Sequence, residues 1–291
     1  MSNRLSFVSK TSVKPLNFEL LIICVNEKKL KLLIFEISSS VICSLTVLIM
    51  CTQYDGRTIE ETGLIKFDFL SLKTLSQLKK ICERIKVNTG KDFDIEKIPL
   101  DDQKTFELFQ RGDTEDIFQY ETQGMQKYLR ELHPTTFNDL VLLNVMYRPG
   151  VMENLPLLIK RKKGKSKIKY AIPNMEKYLN DTYGILVYQE QLMMLSRLIA
   201  DFSRGDSDHL RKALGKKKRI PLLILKRWFF EGGLKNGHEK SVLKKIWDDW
   251  EENGMYLFNK AHAVCYSWLG YQMGYLKANY PEVFNQVMKG C

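Results

Sequence analysis

From residue 72 onward, apolar side chains recur every three and four positions, the period of one buried helix face. Leu72, Leu75, Leu78, Cys82 and Ile85 predict a first amphipathic helix that ends near Asn88, before Gly90. Pro99 marks a turn, and Asp101 or Asp102 then caps a short helix through Gln110. A further helix is predicted from about Gly124 to Leu132. Thr136 caps another through Leu140, Leu143 and Asn144, which stops at Tyr147-Arg148-Pro149-Gly150. Leu192, Leu195, Ile199 and Phe202 form one downstream stripe. Leu210, Ala213 and Leu214 form a second, in a helix opening at Gly205-Asp206-Ser207, and Val242, Leu243, Ile246 and Trp250 a third, over Glu239 to Glu252. Leu223 to Phe230 reads as a buried segment between Pro221 and Gly232-Gly233, and Phe258 to His262 lead a long helix from Ala263 to Asn279.

Two stretches break this rhythm. Residues 1–51 are rich in Ile, Leu, Val, Ser and Cys with few turn signals, and they show no site chemistry. Gly63 to Leu70 alternates, with Ile65, Phe67 and Phe69 on one side and Lys66 and Asp68 on the other, as in a half-buried strand. The fold expected is mainly α, with a small β element near Asp68.

Charge changes the picture more than composition does. The 291 residues are 44% hydrophobic, enough for a folded globular chain, but 45 Lys and Arg against 34 Asp and Glu leave a net charge of +11. Seven of the ten residues from Lys160 to Lys169 are cations, and Arg211 to Arg219 adds six. Such clusters repel one another unless a polyanion or counterions lie close, which points to nucleic acid or an anionic surface as partner. Six scattered cysteines and four histidines include no close CxxC pair, so neither a disulfide framework nor a zinc-thiolate site is indicated and a reducing cytoplasm fits best. Leu32 to Cys51 is nearly long enough to cross a bilayer, but Glu36 and four serines interrupt it, and no membrane association is expected.

Three groups of residues could carry chemistry. Asp68, between Phe67 and Phe69, is either the polar side of an ordinary strand or a rigid carboxylate for a divalent metal. The run Lys160-Arg161-Lys162-Lys163-Gly164-Lys165 is read as a basic loop, either solvated or on phosphates. The helix from Gly205 sends Arg211 and Lys212 to its flanks, and Lys216 and Lys217 follow Gly215. Its bland reading is a solvated basic helix; its sharp reading is a phosphate site. His262 reads as a core or capping histidine, since no nucleophile or carboxylate is placed beside it.

The string Gly63-Leu-Ile-Lys-Phe-Asp-Phe-Leu-Ser-Leu-Lys-Thr-Leu75 resembles the segment of bacterial replicative DNA polymerase III alpha subunits, the C-family polymerases, that ends the palm and enters the fingers. Phe118 to Met125, Arg161-Lys162 with Gly164, Thr182 to Gln191, Leu210 to Lys217 and Leu276 to Phe284 resemble further family strings in family order. Ser71, Val151 and Lys163 depart from the usual Gly, Pro and His.

The resemblance implies residues 52–72 as a terminal palm segment and 73–291 as a helical fingers domain, with 1–51 unassigned. It implies that Asp68 is a catalytic metal carboxylate for Mg²⁺, that Arg211, Lys212 and Lys216 bind nucleotide, and that Arg161, Lys162 and Lys217 bind DNA. The function implied is template-dependent DNA synthesis by two-metal nucleotidyl transfer, with primer–template DNA, deoxynucleoside triphosphates and other replisome subunits as partners. The family's Asp-x-Asp palm pair has no counterpart here, since Asp92-Phe93-Asp94 and Asp206-Ser207-Asp208 sit in a loop and a helix cap, so the chain alone is expected to be an inactive fragment. A non-catalytic basic nucleic-acid-binding module and a membrane-anchored basic protein remain the alternatives.

Overall fold

A computed structural model of the chain describes residues 71–90 and 92–290, together with 6–8, 22–25, 63 and 65–68. The chain divides into two compact units, Met1–Lys73 and Thr74–Cys291. The first contains a three-stranded antiparallel sheet in the order β1 (Ser6–Val8), β2 (Ile22–Val25) and β3 (Ile65–Asp68), with Ile22 opposite Asp68 and Val25 opposite Ile65. The predicted strand is thus present, and Asp68 ends it. Leu32 to Cys51 lies outside the described residues, and among the described residues no helix is long and apolar enough to cross a membrane.

The longer elements that follow are all helices, so the fold is mainly α. From the unit boundary onward the order is α1 (Lys73–Thr89), α2 (Gln103–Arg111), α3 (Gln123–Leu132), α4 (Phe137–Met146), α5 (Leu155–Lys162) and α6 (Glu176–Leu179), followed by α7 (Gln189–Ala200), α8 (Arg204–Gly215), α9 (Arg219–Lys235), α10 (Lys240–Asn253), α11 (Lys260–Asn279) and α12 (Pro281–Lys289).

Local sequence explains most of the boundaries. Asp102 accepts the Thr105 amide at 2.8 Å to start α2, and Gly112 ends it in the left-handed conformation. Thr136 and Asp139 form a reciprocal capping box on α4. Helix α8 starts one residue earlier than predicted, because Ser203 and Asp206 form the same device around Arg204. Asp206 is therefore the third helical residue, facing back to the cap.

The helical unit has two hydrophobic cores. One gathers Ile81, Phe109, Tyr120, Leu140, Leu143, Tyr271 and Phe284 from α1–α4, α11 and α12 and the loop before α3. The other gathers Leu192, Ile199, Leu210, Phe229, Trp247 and Trp250 from α7–α10. Gly232 lets α9 approach the end of α7, since a Cβ there would lie 2.3 Å from the Ala200 carbonyl oxygen. A parallel bridge, Tyr188 to Phe258, joins the chain entering α7 to the chain entering α11.

Three predicted faces shift. In α1 the buried stripe is Thr74, Leu78, Ile81 and Ile85, whereas Leu75 is exposed and Cys82 half-buried, because the face is centred on Ile81. Lys160, Arg161 and Lys162 are the last turn of α5 and not a loop. Pro221 falls in the first turn of α9, where its missing N–H costs no intrahelical bond, so the helix runs through it. Only Leu222, Leu225, Phe229 and Gly233 of α9 are buried, and Leu223, Ile224 and Trp228 face outward.

Candidate functional site

A cleft of about 350 Å³ opens in the helical unit, walled by Phe118, Tyr147, Arg148, Phe258, His262 and Tyr266. The loop before α3, the end of α4 and the first turns of α11 supply these side chains. Gly124 admits Tyr147, because a Cβ at that position would lie 2.0 Å from the Tyr147 hydroxyl. The Arg148 guanidinium lies over the Phe258 ring at 4.3 Å and donates to the carbonyls of Val145 at 2.7 Å and Tyr256 at 3.0 Å. Burial lowers its pKa from the usual arginine value without changing its charge near neutrality.

His262 is exposed, with its ring 4.2 Å from Tyr266 and 5.4 Å from Phe258. It is therefore neither the core residue nor the cap expected. Asn259 caps α11 by accepting the His262 amide at 2.8 Å, which leaves the imidazole on the cleft wall.

The cleft is tied to α8 through one side chain. Gln189 donates its Nε2 to the Leu257 carbonyl at 3.1 Å and its backbone amide to the Phe258 carbonyl at 2.9 Å, while its Oε1 accepts from Arg211 Nη1 at 3.4 Å. Arg211 is thus held next to the segment that carries Phe258. Glu190, the next residue, accepts the Lys260 amide at 3.0 Å and fixes the start of α11.

On α8, Asp208 gathers both predicted cations. Its Oδ1 accepts from Arg211 Nε at 2.9 Å and Nη2 at 2.7 Å, and its Oδ2 from Lys212 Nζ at 2.7 Å. Hydrogen bonds from Lys212 and then Arg211 hold the Asp208 carboxyl below its ordinary pKa. Asp208 therefore does not cap the helix. Lys216 and Lys217 lie in the turn after α8, exposed and without an ion pair among the described residues. Lys217 adopts a left-handed backbone, φ 48°, as the Lys218 amide donates to the Ala213 carbonyl.

Arg161 and Lys162 face a different environment. Lys162 Nζ donates to Asp139 Oδ2 at 2.7 Å and to Thr135 Oγ1 at 2.9 Å, with its side chain 12% exposed and that of Asp139 1% exposed. Asp139 also accepts from the amides of Thr135 and Thr136 and from the Tyr183 hydroxyl. Burial alone would raise the Asp139 pKa, but the Lys162 ammonium and the two amides outweigh it and hold the carboxyl below its ordinary value. Burial, and then the facing Asp139, pushes the Tyr183 phenol up to about 12. Arg161 Nη1 donates to the Tyr183 carbonyl at 2.8 Å. Both cations brace the Tyr183–Gly184 turn against α4 and α5.

The structure thus separates what charge grouped together. Arg211 is tied to the cleft through Gln189, Lys212 lines a separate groove between α8 and α9, Lys216 and Lys217 have no ion pair among the described residues, Arg161 and Lys162 are anchored inward, and Asp68 belongs to the other unit. Arg148, Phe258, Tyr147 and Tyr266 had not been singled out as site residues; the Arg148-Pro149-Gly150 break and the aromatic spacing of α11 were the available signals. Among the described residues no group of three His, Cys, Asp or Glu side chains gathers as a metal site requires.

Residues 74–237 match the family described as the bacterial DNA polymerase III alpha subunit finger domain. Over 237 residues the chain is 42% identical to DNA polymerase III subunit alpha of Aquifex aeolicus (strain VF5), covering 81% of this chain and 20% of that protein. It is 44% identical over 233 residues to the subunit of the same name from Halalkalibacterium halodurans, covering 80% of this chain and 21% of that one. For Staphylococcus aureus (strain COL) the identity is 43% over 235 residues, 81% of this chain and 22% of the relative. The chain spans about a fifth of the length of these relatives.

Proposed function

The chain belongs to the bacterial DNA polymerase III alpha subunit finger-domain family, and on that premise we propose that it is the fingers portion of a replicative DNA polymerase, binding an incoming deoxynucleoside triphosphate against primer–template DNA. The observation that carries this reading is the Arg211–Gln189–Phe258 linkage, which sets a forked cation beside an aromatic cleft of a size suited to a small ligand. Phe258, His262 and Tyr266 offer faces for a planar base or sugar. Arg211 presents two phosphate oxygens with a bidentate donor, and Lys212 and Lys216 add compact charge.

In this reading the phosphates replace Asp208 as the acceptor for Arg211 and Lys212, so the cations stay paired before and after binding. Lys217 contacts the DNA backbone directly, whereas Arg161 and Lys162 act on DNA only through the turn they hold. Residues 52–72 are the end of a palm, with Asp68 as one metal carboxylate, and residues 73–291 are the fingers. Bound Mg²⁺ would activate the primer hydroxyl and neutralise phosphate charge in such a polymerase. Because the chain has no counterpart of the family's Asp-x-Asp palm pair, the isolated chain is expected to extend no primer. Replisome subunits and a cytoplasmic location follow from the replicative reading.

Titration of the chain with a fluorescent deoxynucleoside triphosphate, with and without primed DNA, tests the proposal. Saturable binding that Arg211→Ala weakens tenfold or more, with DNA affinity unchanged, is the expected result. Equal losses of nucleotide and DNA affinity would reduce α8 to a general basic surface.

A further inference from the structure

The outer face of α9 is apolar and nothing described covers it. Ile220, Leu223, Ile224 and Trp228 are 75%, 68%, 48% and 46% exposed, while Leu222, Leu225 and Phe229 are buried on the opposite face. Lys226, Arg227 and Glu231 carry charge further along the helix, but a contiguous exposed apolar patch of this kind marks an interaction surface. At the N-terminal end of this face lies a groove of about 380 Å³, walled by Ala213, Ile220, Ile224 and Trp228 with Lys212 and Lys218 at its rim. Lys216, Lys217 and Arg219 surround that end, exposed and without an ion pair among the described residues. The helix start adds to the same field. Lys218 at the cap makes no side-chain hydrogen bond, and the first turn of α9 has no acidic residue.

We propose that this face docks an acidic amphipathic segment of a protein partner, whose apolar side chains fill the groove and whose carboxylates meet Lys216–Arg219 and the start of α9. Charge selects this occupant over a second copy of the chain, because a symmetric pairing would bring two such cationic ends together. Shape selects it over an anionic bilayer, since the groove of about 380 Å³ between α8 and the start of α9 is a concave seat for side chains, which a flat bilayer does not fill. Chemistry selects it over single-stranded nucleic acid: three of the four exposed side chains are aliphatic, and bases stack on aromatic rings. The proposal shares Lys212, Lys216 and Lys217 with the nucleotide and DNA reading but not Arg211 or the aromatic cleft, and its test reads Leu223, Ile224 and Trp228, which that reading does not use.

The test uses the whole chain and a synthetic amphipathic helix with Leu at helical spacing flanked by Glu, beside a counterpart with Lys at every Glu position. Trp228 reports on docking, because Trp247 and Trp250 are buried and Trp268 is half-buried. The acidic peptide should blue-shift the emission and bind at least tenfold more tightly than the Lys counterpart. Ile224→Glu should weaken it tenfold or more, and Leu223→Ser, at an exposed site that cannot disturb the core, severalfold. Both variants should keep the wild-type circular dichroism spectrum. Equal binding of the two peptides overturns the proposal, as does indifference to Leu223→Ser. It is also overturned if Leu223→Ser abolishes self-association in sedimentation, binding to phosphatidylserine vesicles or binding to oligo(dT) in place of peptide binding.

Discussion

Lys160-Arg161-Lys162 at the end of α5 and Lys216-Lys217-Lys218-Arg219 after α8 are runs of cations of similar length, each at a helix C-terminus where positive charge suits the macrodipole. They have opposite fates. Lys162 enters the interior because Asp139, fixed by the α4 capping box, leaves a buried carboxylate that needs a counter-charge, and Tyr183 offers Arg161 a carbonyl beside it. Among the described residues no carboxylate pairs with Lys216 or Lys217, and both are exposed. Between these extremes stand Arg211 and Lys212, paired with a carboxylate on their own helix that a stronger anion can replace. A count of cations does not locate the exposed ones, because one carboxylate on a neighbouring element turns a lysine inward.

The sharpest way to break this contrast is Lys162→Met. It leaves Asp139 buried without its partner and should cost about 3–5 kcal/mol in urea unfolding, with little direct effect on DNA affinity while the chain stays folded. Adding Asp139→Asn should recover part of the loss. The same brace sets an acid limit. Asp139 titrates below its unfolded value, so its stabilisation is present above the ordinary carboxylate pKa and is lost as pH falls through the lower folded one. The stability gap between the wild type and Lys162→Met should therefore narrow as pH falls and Asp139 takes up its proton. A loss of DNA affinity with unchanged stability would show instead that Lys162 contacts the nucleic acid.

Arg211→Ala comes next. A charge-assisted contact of about 1.5–3 kcal/mol predicts a tenfold to hundredfold weaker triphosphate affinity by titration. Its effect on unfolding should stay near the 0.2–1 kcal/mol typical of a partly exposed pair. Ser203→Ala should cost about 1 kcal/mol in thermal or urea unfolding, because α8 is held by its local cap where α5 is held by a distant ion pair. The smallest effect expected is that of Lys217→Ala, which should lower the slope of log K against log salt by about 0.7–0.9 for DNA binding and leave triphosphate binding alone. A slope that does not move would place Lys217 away from the phosphates.

Caps and breakers were the legible part of the fold. Asp102, Thr136 and the Tyr147–Gly150 stop mark boundaries where they were expected, because capping and backbone restriction act within a few residues of the chain. The stripes on α7 and α8 were legible for the same reason, since Leu192, Leu195, Ile199 and Leu210 follow the helical period into one core.

What tertiary structure alone decided is where each polar group finds its partner. Asp139 and Lys162 are 23 positions apart in sequence, and Gln189 reaches Leu257 across 68. No period or propensity encodes such pairs. The cleft escaped notice on the same ground: Phe118, Arg148 and Phe258 come from three separate turns, and each alone reads as ordinary packing. The outer face of α9 shows the limit from the other side, because hydrophobicity says that Leu223 and Ile224 favour burial but cannot say against what. The sequence by itself determined the family and most of the helix ends; the side-chain partners that turn Lys162 inward and leave Lys216 exposed exist only once the helices are packed.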